Sequence, residues 1–439
     1  MHPWCTSTTL LRRIYSYLCK GDVFRVSPNE LSFASVTSWK AIYGPWPSGK
    51  STFVKSPFYD MYGAGFNTGC IGSERNPRKH AQMKRTLLPG FSARALAEQE
   101  TIVQSCVDNF IAQLGKNPEE GMNMTEWFEM VAFDILGEMA FGESFHCVDK
   151  GEPHFWQQMI STHLWAITVA DNMRRYALVR WLGEKLLPAL TVGVQRKHTG
   201  YSRARVASRL ASKTDRKDFL TNVIDKVHSN EVSEEELTAH ASTFVIAGGE
   251  TVATALAAIT YHLCKAPAVL RTMQTTIRSS FTSYEAINSV SCLQIPYLQA
   301  VINEGLRIYP PGAQGFPRVS PGAEVDGKYI PAGTELYTSA WSVTHDPTNF
   351  NKPNDFIPER WMDPNSQDIK EASQPFSLGP RGCVGKNFAY IEMSLILAKM
   401  LFMYDIKLVN DSLDWEESSH IHVMWWKPTL KVQFSARAV

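Results

Sequence analysis

From Ser233 to Lys265 the chain runs for about 30 residues without a proline, and around Phe244, Val245, Ile246 and Ala247 it is apolar on nearly every side. Ser233 followed by Glu236 is a capping box, and Pro267 suits the first turn of a next helix, so both ends of one helix are marked. That helix would span roughly 45 Å, enough to cross a whole domain. An all-round apolar middle demands burial, so the remaining chain has to wrap around it. Two glycines interrupt it within Ala247-Gly248-Gly249-Glu250-Thr251, each costing about 1 kcal/mol relative to alanine. A helix tolerates this where something approaches its backbone. On these residues alone, close helix packing with Thr251 bonding back to its own helix accounts for the break equally well.

The rest of the chain reads as mainly α with small β-sheets. Residues 23–26 and 30–33 form a hairpin around Pro28-Asn29, and Asp326-Gly327 turns a second one inside a β-rich patch at 318–345. Residues 420–435 read as a closing strand pair. The Gly-, Ser-, Asn- and Pro-rich stretch 55–79 reads as a long loop, 80–190 as helices, and the basic stretch 201–217 as an exposed connection. With 439 residues, the chain has room for several domains or one large core. Lys+Arg 44 against Asp+Glu 43 leaves a net charge of +1, which gives no global field for nucleic acid. Eight cysteines lie scattered with no C-x-x-C pair, against a disulfide framework or a zinc site and in keeping with a reducing compartment.

One cysteine stands apart. Cys383 lies in Pro375-Phe376-Ser377-Leu378-Gly379-Pro380-Arg381-Gly382-Cys383-Val384-Gly385, just before the helical spacing of Phe388, Ile391, Leu395, Ala398 and Phe402. The glycines permit a tight turn, while oriented amides, a helix N-terminus and Arg381 favour an anion at the sulfur. A lone Cys among apolar residues is more often an inert buried thiol, and the surroundings decide against that here.

Phe376, Gly379, Arg381, Cys383 and Gly385 together resemble the haem-ligand signature of the cytochrome P450 family at every fixed position. The resemblance covers nearly the whole chain from about residue 21. The text Asp134 to Phe145 is similar to fungal secondary-metabolite members, of the trichothecene or isotrichodermin hydroxylase type. It implies the cytochrome P450 fold, with residues 21–439 a single haem-thiolate catalytic domain, heme b (iron protoporphyrin IX) as cofactor and Cys383 as the proximal iron ligand. By the same resemblance Gly248, Glu250 and Thr251 match the oxygen-activating helix. Thr251 would steer protons to the dioxygen site and Glu250 would help relay them. Val252 departs from the Thr or Ser common at the next position.

His80, Lys84 and Arg318 would meet the haem propionates, with Arg85 a neighbour that shares the role. Glu304 and Arg307, three apart on a helix from Pro296, would pair with Arg360 of Pro358-Glu359-Arg360 and hold the cysteine loop in register. No flavin or dinucleotide fingerprint is evident, so the resemblance implies NADPH-cytochrome P450 reductase as electron donor, with cytochrome b5 a second partner. It also implies O2, a hydrophobic small-molecule substrate and the cytosolic face of the endoplasmic reticulum.

Residues 1–20 show no membrane anchor, since their apolar stretch is short and broken by Arg12-Arg13. Leu178, Val179, Trp181, Leu182, Leu186 and Leu187 suit either a peripheral membrane contact or a core-facing helix pair. The pocket walls read as largely apolar, fitting a medium-sized terpenoid or polyketide. Two other functions fit the same residues: a haem-thiolate dehydratase, isomerase or coupling enzyme that inserts no oxygen, and a truncated, non-catalytic haem binder.

Overall fold

The computed structural model describes residues 21–45, 52–63, 65–116, 120–176, 193, 196–212 and 216–437. The segment 1–20 and the apolar residues between Leu178 and Leu187 lie outside the described residues.

The long helix runs over Glu234–Lys265, capped by the Ser233 hydroxyl, which accepts from the Glu236 N–H at 3.1 Å. Three glutamates in its first turn complement the helix dipole. Among the described residues it is the one helix long and apolar enough to cross a membrane, but 67% of its apolar window is buried inside the protein. It is therefore a core helix. Its main packing partner is helix Met124–Phe141, and it also packs on Pro296–Ile308 and on Lys386–Met403, the helix that follows the cysteine loop.

Gly248 is explained by this packing. A Cβ there would lie 2.9 Å from the Leu136 Cδ1 on the facing helix. The four apolar residues before it divide: Phe244 and Val245 are buried and Ile246 half-buried, but Ala247 is exposed. Expecting burial on every side was therefore wrong at Ala247, which shares a face with Thr251 one turn later.

A five-stranded sheet orders its strands Val23–Ser27, Glu30–Phe33, Glu335–Thr338, Arg318–Val319 and Val54–Lys55. The first two form the predicted hairpin. The second hairpin joins Ala323–Val325 to Lys328–Ile330, with Asp326 and Gly327 both at positive φ, the geometry that matches strand twist. The closing strands differ from expectation. Residues 420–421 and 425–426 make a short pair, while Lys431–Ala436 leaves them to sit between Met122–Asn123 and Tyr404–Leu408.

Two loop assignments are also corrected. Within 55–79, Ser56 caps the short helix Pro57–Met61 and Asn76 caps the helix Pro77–Leu87, each with proline at the first turn. The stretch 201–217 is helical to residue 211 and partly buried, with Ser202 and Val206 at 0% exposure. Its arginines are paired: Arg205 with Glu143, Arg209 with Asp218, and Arg216 with Glu138. The six described cysteines are all free thiols.

Candidate active site

The cysteine loop is built from the backbone outward. Gly379 holds φ 65°, and a Cβ there would fall 2.3 Å from the Tyr43 carbonyl oxygen, so the turn admits only glycine. The Cys383 N–H donates to the Phe376 carbonyl at 2.9 Å, closing the loop. Phe376 packs its ring on Tyr390 at 5.4 Å, with the Lys386 ammonium 5.9 Å from its centroid. Lys386 opens the following helix, Lys386–Met403, so its N-terminus lies beside the sulfur.

Burial raises the Cys383 thiol above its ordinary range. The Gly385 and Lys386 amides and the Lys84 and Lys386 ammonium groups oppose that shift. Yet the residue is exposed by surface area. A group that is both reachable and strongly desolvated sits in a concavity. A metal cation there would tip the balance to the thiolate, and the donor set fits a haem iron.

Beside the loop three basic side chains, Lys55, Arg318 and Arg381, crowd together with the His80 imidazole. Lys55, His80 and Arg318 are 5%, 5% and 4% exposed. Burial, then Arg381 and Arg318, push the Lys55 ammonium down to about 7. Burial, then Arg381, Lys55, Lys84 and Arg318, lower His80 to about 3, so its imidazole is neutral. Burial and Arg318 bring Arg381 down to about 10. Half-buried Glu74 offsets this group in part. A desolvated positive cluster short of counter-charge fits an anionic ligand edge, as haem carboxylates provide.

Arg318 donates to the Tyr59 hydroxyl at 3.0 Å and to the Phe316 and Pro317 carbonyls, and its guanidinium lies over the Tyr43 ring at 4.9 Å. Arg381 donates to the Glu74 and Arg75 carbonyls at 2.8 and 2.7 Å. Lys84 is placed differently. Its ammonium donates to the Pro380 and Gly382 carbonyls at 2.9 and 3.1 Å, within the cysteine loop itself. Arg85 points to solvent. Lys55 and Tyr59 escaped sequence reasoning, because each is a single residue with no local pattern.

On the long helix, Thr251 donates to the Ala247 carbonyl at 2.7 Å. Glu250, the neighbouring residue, turns to another face and bonds Lys427 at 2.5 Å. Burial raises its carboxyl and Glu129 adds to that, while Lys427 lowers it. The edge-to-face series Phe244, Phe219, Phe388, with centroids 5.9 and 4.8 Å apart, ties this helix to the one behind Cys383.

Glu304 is a hub. Arg307 binds it through two bonds of 2.8 Å, Arg360 donates at 3.2 Å, the Trp361 indole at 2.9 Å and the Ile357 amide at 2.9 Å. Arg307 spends its remaining donors on the Thr344, Pro353 and Asp355 carbonyls, and Arg360 also pairs with Asp368. Arg307 and Glu304 have no exposed side-chain surface.

Comparison with known proteins agrees with this geometry. The family model described as Cytochrome P450 matches residues 16–434. The chain is similar to "Cytochrome P450 monooxygenase ORF9" of Penicillium roqueforti, 59% identical over 94% of this chain and 82% of that protein. It is similar to "Cytochrome P450 monooxygenase BOT4" of Botryotinia fuckeliana, 52% identical over 94% and 79%. The "Trichothecene C-15 hydroxylase" of Fusarium sporotrichioides is 33% identical over 99% and 92%.

Proposed function

The chain belongs to the cytochrome P450 family, and from that premise we propose that this haem-thiolate monooxygenase hydroxylates or otherwise oxidises a hydrophobic small molecule in fungal secondary metabolism. The observation that carries the reading is Cys383, reachable and desolvated, with two backbone amides aimed at its sulfur. The cofactor would be heme b, held by Cys383 on one side and by the Lys55, His80, Arg318 and Arg381 cluster at its carboxylates. Bound there, it supplies activation of dioxygen with two electrons and oxidation of a C–H bond. Lys84 binds the Pro380 and Gly382 carbonyls, and with Lys386 adds positive charge to the two amides that favour the thiolate.

Thr251 would pass protons to the oxygen-binding face, and Glu250 would resupply them. For this, the Thr251 hydroxyl exchanges its bond to the Ala247 carbonyl for one to the reacting oxygen. Glu304, Arg307 and Arg360 serve as scaffold for the segment that leads into the loop. The catalytic domain spans residues 21–439. Electrons come from an NADPH-cytochrome P450 reductase, with cytochrome b5 as a second donor, at the cytosolic face of the endoplasmic reticulum. The relatives' fungal origin and the apolar residues before Gly248 support a terpenoid or polyketide substrate.

Reduced protein with carbon monoxide should show the red-shifted Soret band of a thiolate ligand; a folded, haem-loaded sample without it overturns the reading. Thr251→Ala should keep that band and raise the peroxide released per NADPH consumed. Isotopic oxygen traced into product separates monooxygenation from a reaction without oxygen insertion.

A further inference from the structure

Between strands Trp425–Trp426 and Lys431–Ala436 the chain sends one lysine inward. The Lys427 side chain is 2% exposed, and its three donors are all taken. They meet Glu250 Oε1 at 2.5 Å, Glu129 Oε1 at 2.9 Å and Thr254 Oγ1 at 3.1 Å. Helix Met124–Phe141 brings Glu129, and the long helix brings Glu250 and Thr254. The segment bearing the lysine is itself pinned, since Thr125 Oγ1 donates to the Pro428 carbonyl at 2.7 Å and the Leu430 N–H to Asn123 Oδ1 at 3.2 Å. The second Glu129 oxygen accepts from Gln157 at 2.9 Å.

A structural tie needs one carboxylate for one ammonium. Here two carboxylates share it, so with both ionised the triad carries one uncompensated negative charge in a poorly hydrated place. Against burial, Glu129 and Glu250 hold Lys427 above its ordinary range, so the lysine stays charged and the spare proton belongs to the carboxylates. Tyr309 is the other titratable group that Glu250 acts on, and burial keeps its phenol neutral. Glu129 is the most exposed of the three, at 19% of its side chain against 14% for Glu250.

We propose that Lys427 and Glu129 are positioning residues for proton delivery at Thr251: Lys427 holds the Glu250 carboxylate against the C-terminal segment, and Glu129 competes with Glu250 for the same ammonium. This rests on the assignment of Thr251 and Glu250 to proton delivery. One proton taken from solvent makes the triad neutral and leaves one carboxyl uncharged. Glu250, once neutral, loses its ionic tie to Lys427 and is free to turn from that face towards Thr251; it gives its proton to the Thr251 hydroxyl oxygen as the hydroxyl's own proton passes to the oxygen-binding face. The Glu250 carboxylate then re-forms its pair with Lys427.

The test is the pH dependence of peroxide released per NADPH consumed, in substrate-free holoenzyme with a purified reductase. Delivery works below the midpoint, where the triad holds its proton, and peroxide rises above it. Lys427→Gln removes the cation that favours the carboxylate, so the midpoint moves up by about one unit or more. Glu129→Gln removes the competing anion, so it moves down. Lys427→Arg stays near the parent protein. The thiolate carbon monoxide band checks the fold of every variant, and Glu129→Gln carries the test if Lys427→Gln does not fold. Equal midpoints in Lys427→Gln and Glu129→Gln, with Thr251→Ala still releasing more peroxide, overturn this proposal alone. An unchanged peroxide yield in Thr251→Ala overturns the proton-delivery assignment beneath it.

Discussion

Two buried charge clusters, one around Glu304 and one around Arg318 beside the cysteine loop, are built on opposite terms. Around Glu304 the guanidinium donors are matched: Glu304 faces both Arg307 and Arg360, Asp368 pairs with Arg360 as well, and the spare N–H groups reach carbonyls. Around Arg318 four positively charged or imidazole side chains are pressed together, with Glu74 offsetting them in part. The first is satisfied by groups of the chain itself, which suits the scaffold role proposed for it. The second is short of counter-charge within the described residues, which is what the proposed seat for the haem carboxylates requires.

The contrast can be broken in four ways, beginning with the largest effect. Cys383→Ala should abolish both the thiolate carbon monoxide band and turnover while the protein still folds; retained activity with the band lost would exclude Cys383 as the iron ligand. Next, Glu304→Ala leaves the buried Arg307 guanidinium without a carboxylate and Arg360 with Asp368 alone, which should cost about 3–5 kcal/mol in denaturant unfolding. A loss under about 1 kcal/mol would mean that the hub is no more than a surface-grade ion pair.

The third concerns Lys55 in the haem-free protein. Its ordinary value is 10.5 and its folded value about 7, so the unfolded chain holds this proton over a range where the folded chain has released it. Stability therefore rises with pH across that window, and the repulsion is fully present below it. Lys55→Met should flatten the slope and raise the thermal midpoint at neutral pH. Bound haem should flatten the parent slope as well, and an identical slope with and without haem contradicts an anion at this cluster. Smallest is Gly248→Ala. Crowding falls on the Leu136 side chain, which can move, and offsets a helix-propensity gain of about 1 kcal/mol. The net stability change should stay within about 1 kcal/mol, and a larger loss would show that the interruption does more than admit Leu136.

The difference between the clusters also explains what was legible beforehand. Cys383, the Ser233 cap and the Asp326-Gly327 turn carry their reasons within a few neighbouring residues, so they can be read directly. The helix through 201–211 was hidden because a basic stretch reads as solvated, whereas its arginines find Glu143 and Asp218 only after folding. Lys55, Glu129 and Lys427 had no signal at all. Lys427 and Glu250 are separated by 177 residues, and nothing local to either announces the pair. Ala247 was misjudged for the converse reason: apolar residues around a cofactor cleft look like core.

The Glu304 hub also bears on the order of folding. Its partners come from Arg307, three residues away, and from Ile357, Arg360 and Trp361, more than fifty residues on. Stripping water from one of these charges before the others arrive is costly, so a half-assembled hub has no stable form. Closing that long loop is thus an all-or-none event, late in folding because its entropy must be lost before any contact rewards it. Until it closes, Arg307 and Arg360 cannot fix residues 353–360, the segment that leads towards the cysteine loop, against helix Pro296–Ile308.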